Sequence, residues 1–444
     1  MLSRPATQQY RRAENLIRRL QKNGHRATFV GGCVRDMLLG TTPVDYDIAT
    51  SARPEQVEKI FRRTIAVGRQ FGVIIVLLDG DQFEVATFRS DTEYTDGRHP
   101  DGVRFEGIEA DARRRDFTIN GMYWDPRSGE LIDLVGGQAS LRDRTVEAIG
   151  EPGRRFDEDH LRLIRTVRFA ARLDFQIAPS TRQAASDRAE LVTDVAAERL
   201  QQELRIILSD RAPAAALRLM DDMGMLTRIF PELKPARGCD QPDNYHPEGD
   251  VFTHTLLTVE KLGPHPDFRV SMAALLHDIG KPPANRGRDD LRFPRHDKIS
   301  ETLARKVCRR LKLPNRDTER ICWLVKRHMY LKDARKMKDS TLRQLFAQPG
   351  FKQLCRLARA DALASWGKLD NLNYVLRRRE KLSEEEIDPP RLITGHDLIE
   401  MGYTPGPAFG KILDTIREAQ LEGELEDREA ALKRAREIAD DVVN

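Results

Sequence analysis

The amino-acid sequence predicts an α+β protein: a small N-terminal α/β domain followed by a long all-α body. Three observations predict it. Segments near 27–31, 72–79 and 81–89 are short, apolar or alternating, and bounded by turn residues, as strands are. After about residue 155 apolar residues recur at helical spacing almost throughout. The chain has 444 residues and 40% hydrophobic content, enough for several cores at ~100–200 residues per domain.

Taken in order, residues 7–23 read as an amphipathic helix leading into the first strand. Asp79-Gly80-Asp81 reads as the hairpin turn between the second and third strands. Residues 231–250 are rich in Pro, Gly and Asp and mark a boundary, and the charged stretch 379–390 ends in two prolines and marks a second. The expected plan is four domains, at 1–150, 151–235, 245–380 and 386–444. Charged residues reach 32%, but the net charge is only +4, so the bulk balance decides little. Arginine clusters at Arg113–Arg115, Arg154–Arg155, Arg162–Arg168 and Arg377–Arg379 suit either phosphate contacts or solvated helix faces. Five cysteines without a CxxC pair argue against a zinc ribbon or disulfide framework and suit a reducing cytoplasm. No apolar run of about 18 residues is present, and the N-terminus has no signal-peptide core.

The chemistry begins after the first strand. Gly31-Gly32 stands between strand and helix, where glycine lets backbone N–H groups approach a phosphate, and Arg35 adds positive charge in the first helical turn. Asp45 and Asp47 are two residues apart, so on an extended chain they share a face. Side-by-side carboxylates can hold Mg2+, and paired ions can clamp the attacking and leaving oxygens of phosphoryl transfer. Glu84, alternating with apolar residues on a neighbouring strand, is a candidate third carboxylate. A solvent-facing turn is the ordinary alternative for Asp-x-Asp.

GGCVRD at Gly31–Asp36 followed by DYDIAT at Asp45–Thr50 resembles the signature of the class II tRNA nucleotidyltransferase and bacterial poly(A) polymerase family. The resemblance continues in order through RRDFTIN at Arg114–Asn120, DLVGGQASLRDR at Asp133–Arg144, Glu158-Asp159-His160-Leu161-Arg162, and Glu198-Arg199 with Glu203. It implies metal ligation and catalysis by Asp45 and Asp47 with Glu84. It also implies nucleotide contacts from Gly31, Gly32, Arg35, Arg115, Asp116, Asn120, Asp159, Arg162, Arg165 and Arg168. The segment Asp96-Gly97-Arg98-His99-Pro100 resembles the family's flexible loop.

Asp159 and Arg162 are three apart in a helical stretch and so are expected to share a face. In the family the matching pair reads the incoming base. Cytosine and adenine both offer an exocyclic amine to a carboxylate and a ring nitrogen to a guanidinium. Uracil and guanine offer a carbonyl instead, leaving a buried charge unpaired at a cost of ~1–3 kcal/mol or more. Glu198 and Arg199 are implied to orient that element.

In the second half, His254, the pair His277-Asp278 and Asp361 follow the order H…HD…D of the HD phosphohydrolase superfamily, and His296 and His328 lie between. Imidazole with carboxylate suits Mg2+, Mn2+, Ni2+ or Fe2+. The expected reaction is hydrolysis of a phosphomonoester or cyclic phosphodiester. A fold without metal is the alternative.

The reading is an α/β palm, a helical neck that reads the base, an HD domain and a helical tail. Its expected partners are CTP, ATP and the 3′ end of tRNA, with Mg2+ in the palm and a second divalent metal at the HD site. Addition of CCA is the favoured activity. A poly(A) polymerase, an enzyme adding only CC or only A, and an HD-driven RNA-end phosphohydrolase stay open.

Overall fold

The computed structural model describes residues 4–91, 102–242, 247–287 and 290–443. The loop at Asp96–Pro100 lies outside the described residues. Contacts within the chain divide it into two compact units, Met1–Pro231 and Glu232–Asn444.

The first unit opens with the helix Gln8–Lys22, capped by the Thr7 hydroxyl, which accepts from the Tyr10 N–H at 3.1 Å. Its buried residues Tyr10, Ala13, Leu16, Ile17 and Leu20 recur three and four apart, the spacing of one helix face. The strands follow as β1 (Ala27–Val30), β2 (Ile48–Thr50), β3 (Thr64–Gly68), β4 (Val73–Leu78), β5 (Asp81–Thr87), β6 (Arg89–Asp91), β7 (Val103–Phe105), β8 (Met122–Asp125), β9 (Glu130–Asp133), β10 (Thr145–Val146) and β11 (Gln176–Ile177). Seven form one sheet in the order β3-β4-β5-β2-β1-β8-β9. Its pairs are antiparallel except β2 with β5.

The β4–β5 hairpin turns on Asp79 and Gly80, at φ 49° and 90°. Positive φ at both central residues is the type I′ geometry that matches strand twist. Tyr10 and Trp124 both stack on Phe29, with centroids 5.5 Å and 5.7 Å away, and on each other at 6.2 Å, and so fasten the first helix to the sheet.

Among the described residues after 155 the helical expectation has one exception: β11 pairs in parallel with β10. Otherwise the first unit continues in helices, among them Pro152–Glu158, Leu161–Leu173 and Ala197–Leu208.

The regular elements described in the second unit are all helical. The helix Phe268–Leu276 is buried at every residue but Arg269, as a helix running through a core must be. The helices Val251–Lys261, Asn315–Arg327 and Phe351–Ala364 pack on it. Residues 379–390 are ordered: Ser383 caps a short helix and Ile387 is buried. The C-terminal segment builds its own apolar cluster around Ile393, Leu398, Ile412, Ile416 and Ala435. No helix among the described residues is long and apolar enough to cross a membrane.

Candidate active site and metal centre

The end of β1 makes the first site. Gly31 has φ 75°, a conformation that favours glycine, and its N–H is committed to the Met122 carbonyl oxygen at 3.2 Å. Gly31 thus contributes the turn itself. A Cβ there would stand 3.4 Å from Arg115 Nη1 and 3.9 Å from Asp47 Oδ2, so both groups face the turn. Asp47 immediately precedes β2, and Glu84 lies one residue before Val85, the β5 partner of Ile48. Parallel pairing therefore brings Asp47 and Glu84 side by side. Between the two aspartates Tyr46 turns inward and is buried, which leaves Asp45 and Asp47 on the other side. Burial, then the nearby Glu84 and Asp45 carboxylates, push the Asp47 carboxyl up to about 7, although Arg115 pulls it down.

Arg35, expected to add a positive charge in the first helical turn, is held by partners of its own. Its guanidinium is 3% exposed, pairs with Asp36 at 2.7 Å and donates to Asn120 Oδ1 at 2.7 Å. A polar chain runs on from there. Asn120 donates to Asp116 Oδ1 at 3.1 Å, and Arg165 donates to Asp116 Oδ2 through Nε at 2.9 Å and Nη2 at 2.5 Å. Burial alone would raise the Asp116 carboxyl, but the Arg165 guanidinium holds it well below the usual carboxylate range. Glu203 then takes Arg165 at 3.7 Å and Arg168 at 3.1 Å. Burial, with Arg165 beside it, brings Arg168 down to about 10.

Asp159 and Arg162 do not share one helix. The helix Pro152–Glu158 ends before Asp159, which is extended at φ −143°, and a new helix starts at Leu161. Consequently the two side chains have different partners. Both Asp159 oxygens accept from Arg199, each at 3.1 Å. Arg162 pairs with Glu158 at 3.1 Å and donates to the Arg155 and Arg114 carbonyls at 2.8 Å and 3.1 Å. Glu198 occupies the first turn of the helix Ala197–Leu208, where negative charge suits the helix dipole.

The second constellation is entirely within the second unit. His254 comes from the helix Val251–Lys261, His277 and Asp278 from the end of Phe268–Leu276, and His296 from the start of His296–Arg310. His328 caps Asn315–Arg327 and Asp361 lies in Phe351–Ala364. All six are buried. Every imidazole uses Nδ1 outward. His277, His296 and His328 hold the carbonyls of Ala274, Phe293 and Val325 at 2.7, 2.9 and 2.6 Å, and His254 holds Glu248 at 2.5 Å. Four Nε2 atoms are thereby left facing one another, His254 to His277 at 3.3 Å and His296 to His328 at 3.1 Å. Nitrogens whose proton is spent on the opposite side cannot both donate across those gaps.

Asp278 stands between the pairs. Its Oδ2 is 3.2 Å from His277 Nε2 and 2.6 Å from Lys281 Nζ, while its Oδ1 lies 3.4 Å from His296 and 3.5 Å from His328 without a hydrogen bond. Asp361 Oδ1 meets His254 Nε2 at 3.0 Å. Two overlapping groups, His254-His277-Asp278 and Asp278-His296-His328, have metal-ligating geometry, and the convergent lone pairs and orphaned carboxylate oxygen fit divalent cations.

Several contributing residues escaped the sequence reading. Glu248 and Gln241, which accepts from Lys281 Nζ at 2.5 Å, lie in the stretch 231–250 that read as boundary. A Cβ on Gly280 would meet the His296 carbonyl at 2.4 Å, so this glycine seats His296; an HD-I-G run followed by a helix was the available signal. Asp133 accepts from the N–H groups of Val135, Gly137 and Gln138, and Gly137 packs so closely that a Cβ would stand 2.4 Å from Thr118 O. The third motif thus braces the second.

Residues 27–147 match the family described as "Poly A polymerase head domain", 174–237 "Probable RNA and SrmB- binding site of polymerase A", and 295–435 "tRNA nucleotidyltransferase domain 2 putative". The CCA-adding enzyme of Bacillus subtilis is 30% identical over 415 residues, 93% of this chain and 94% of that protein. That of Bacillus licheniformis is 41% identical over 215 residues, 48% of this chain and 54% of the relative, so the match spans about half that relative's length. Among solved structures, the Bacillus stearothermophilus CCA-adding enzyme in complex with CTP is similar at TM-score 0.73 and 29% identity, covering 98% of this chain and 100% of that one. The Thermotoga maritima CCA-adding enzyme complexed with tRNA_CCA shares the fold at TM-score 0.61 and 21% identity, covering 98% and 96%.

Proposed function

The chain belongs to the CCA-adding enzyme family, and on that premise we propose that it adds cytidine and adenosine from CTP and ATP to the 3′ end of tRNA. A nucleotidyltransferase of this family depends on a divalent metal. The observation that carries the proposal is the meeting of Asp47 with Asp45, Glu84 and Arg115 at the Gly31 turn. In this reading the RNA 3′ hydroxyl attacks the α-phosphorus and pyrophosphate leaves. Asp45 and Asp47, helped by Glu84, would hold Mg2+, which when bound offsets charge on the triphosphate. Asn120 and Asp116 tie the phosphate turn, through Arg35, to the arginines of the helix Leu161–Leu173, and Arg165 and Arg168 face the triphosphate from that side.

Base choice rests on Asp159 and Arg162. Asp159 accepts the exocyclic amine of C or A, and Arg162 donates to the ring nitrogen. Arg199 on one and Glu158 on the other hold the two groups ready before the base arrives, so little ordering remains to be done on binding. The domains proposed are a palm (1–150), a neck (151–235), an HD domain (245–380) and an RNA-binding tail (386–444). Free thiols and a tRNA substrate suit the cytoplasm.

A second activity is favoured by the imidazole cluster. His254, His277, Asp278 and Asp361 would hold one divalent ion and Asp278, His296 and His328 another, with Mg2+, Mn2+ or Ni2+ as candidates. When bound, such ions supply Lewis acidity toward a phosphate ester.

The deciding experiment supplies tRNA lacking part or all of CCA with CTP and ATP, singly and together. A discrete CCA product is expected. A long adenosine ladder would make the chain a poly(A) polymerase, and a product stopping at CC, or growing only by A, a partial enzyme.

A further inference from the structure

Arg162, the proposed base-facing donor, is held by three acceptors. Its Nη1 donates to the Arg155 carbonyl at 2.8 Å and to the Glu158 carboxylate at 3.1 Å, and its Nη2 donates to the Arg114 carbonyl at 3.1 Å. A guanidinium has five N–H donors, so these bonds leave two for a base. The Arg155 guanidinium grips two of the same three acceptors. Its Nη1 pairs with Glu158, and its Nη2 donates to the Arg114 carbonyl and, at 2.7 Å, to the Arg115 carbonyl. An ion pair on a solvated helix face would do little. Arg155 is instead 9% exposed and reaches carbonyls 41 and 40 positions back along the chain. The segment it reaches also carries Arg115, whose guanidinium faces the Gly31 turn with Asp47, and Asp116, which holds Arg165.

We propose that Arg155 is a positioning residue for base selection, setting where the Arg162 guanidinium stands by holding Glu158 and the Arg114 carbonyl in place. The inference rests on the reading of Arg162 as the base-facing donor. Arg155 donates to protein acceptors and acts through Arg162. Without it the Glu158 carboxylate is free to turn toward Arg154, an exposed side chain 3.3 Å away, and Arg162 follows its partner. A donor displaced by a fraction of an ångström no longer meets the ring nitrogen squarely, and a misplacement of that kind far from the reacting atoms is costly. Because the clamp closes on the carbonyls of Arg114 and Arg115, it also keeps the base in register with the groups that face the phosphates.

The test is single-nucleotide addition by the full chain to tRNA lacking CCA, with CTP and UTP supplied separately. The ratio of kcat/KM for CTP over UTP should fall about tenfold in Arg155→Met, the size expected when a hydrogen-bonded charge loses its hold. Arg155→Lys keeps the charge but not the planar fork, and its ratio should fall about threefold. Both substrates meet the same enzyme sample, so the ratio does not depend on the folded fraction, and a loss of fold alone would leave it unchanged. Should Arg155→Met yield no folded protein, Arg155→Lys carries the same comparison. The decisive measurement adds Arg155→Met to Arg162→Leu. A residue that acts through Arg162 has nothing left to position there, so the ratio of the double variant should match that of Arg162→Leu within about twofold. Losses that multiply in the double variant overturn the inference, because Arg155 would then act apart from Arg162. Arg155 variants that keep the parent's ratio while Arg162→Leu loses it overturn the inference alone. If Arg162→Leu discriminates as the parent does, the base-pairing reading itself fails and takes the inference with it.

Discussion

The two constellations use carboxylates in opposite ways. At the Gly31 turn the acids lie at the surface end of a sheet: Asp45 and Glu84 are exposed, Asp47 is half-buried, and the proposed ligands include no imidazole. In the second unit Asp278 and Asp361 are 2–3% exposed and four imidazoles already point their Nε2 atoms inward. An open oxygen-only site suits a hard, hydrated ion that arrives with a triphosphate and leaves with pyrophosphate. A closed site with outer partners on every histidine suits a resident ion of the imidazole-preferring kind. Partial burial explains why Asp47 is costly to ionise alone, whereas the buried acids are compensated by lysines: Lys281 for Asp278 and Lys332 for Asp361.

The largest effect should come from breaking the open site. Asp47→Ala or Asp45→Ala is expected to lower nucleotide incorporation by about a thousandfold or more, since metal stabilisation of transferred charge is worth several kcal/mol. Binding of tRNA and the metal content of the second unit should be unchanged. Primer-extension rates with parallel elemental analysis measure both, and a joint loss would mean that the centres are not independent. Next in size, Glu248→Gln should weaken metal binding at the imidazole cluster about 10- to 100-fold by loosening His254, and leave incorporation alone. Titration of the metal-stripped protein with Mn2+ reads this directly. If affinity does not move, the Glu248 carboxylate on His254 Nδ1 plays no part in orienting that imidazole toward the metal.

A smaller effect tests pre-organisation in the neck. Arg199→Met removes the bidentate hold on Asp159 without touching the proposed base contacts. Discrimination of CTP over UTP, as a ratio of kcat/KM, should fall about five- to tenfold. Arg162→Leu should cost more, up to ~3 kcal/mol, because a base-facing donor itself is lost. Equal losses in the two variants would mean that Arg199 touches the base. Unchanged discrimination in Arg162→Leu would remove the pairing scheme.

The contrast also explains what could be read from the chain and what could not. Local signals were legible: the strand at Ala27–Val30, the Asp79-Gly80 hairpin, and the i, i+2 spacing of Asp45 and Asp47 each depend on near neighbours. β8 and β9 were not, because MYWD and ELID are short and take their place through pairing with β1 and with each other. The break between Glu158 and Leu161 hid behind a continuous helical pattern, since the residues that draw Asp159 and Arg162 apart, Arg199 and Arg114, are tens of positions away. The six proposed metal ligands were legible as residue types in order. Their outer partners were not: three are backbone carbonyls, and the fourth, Glu248, sits in a segment whose Pro and Gly content reads as linker.

The last effect, read in stability and not in activity, isolates Asp47 as the strained member of the open site. Its carboxyl is raised to about 7 in the metal-free fold, chiefly by burial, against a usual value near 4. Between those two pH values the folded chain keeps a proton that the unfolded chain has lost. The contribution of this group to stability is therefore complete at low pH, declines as pH rises, and is gone once pH passes about 7. Asp47→Asn removes the titration, so the difference in melting temperature between variant and parent should widen in favour of the variant from about pH 4 to pH 7 and stay level above. At ~2–4 °C per kcal/mol for a unit of this size, the shift is measurable by calorimetry in EDTA. Mg2+ should shrink it, because the ion replaces the proton and competes with it: in the parent, apparent Mg2+ affinity should fall by up to about tenfold per pH unit below 7. A variant no more stable than the parent at pH 8 in EDTA would show that the Asp47 carboxylate is already well solvated, and the contrast between a strained open site and a compensated closed one would then reduce to a difference in ligand type.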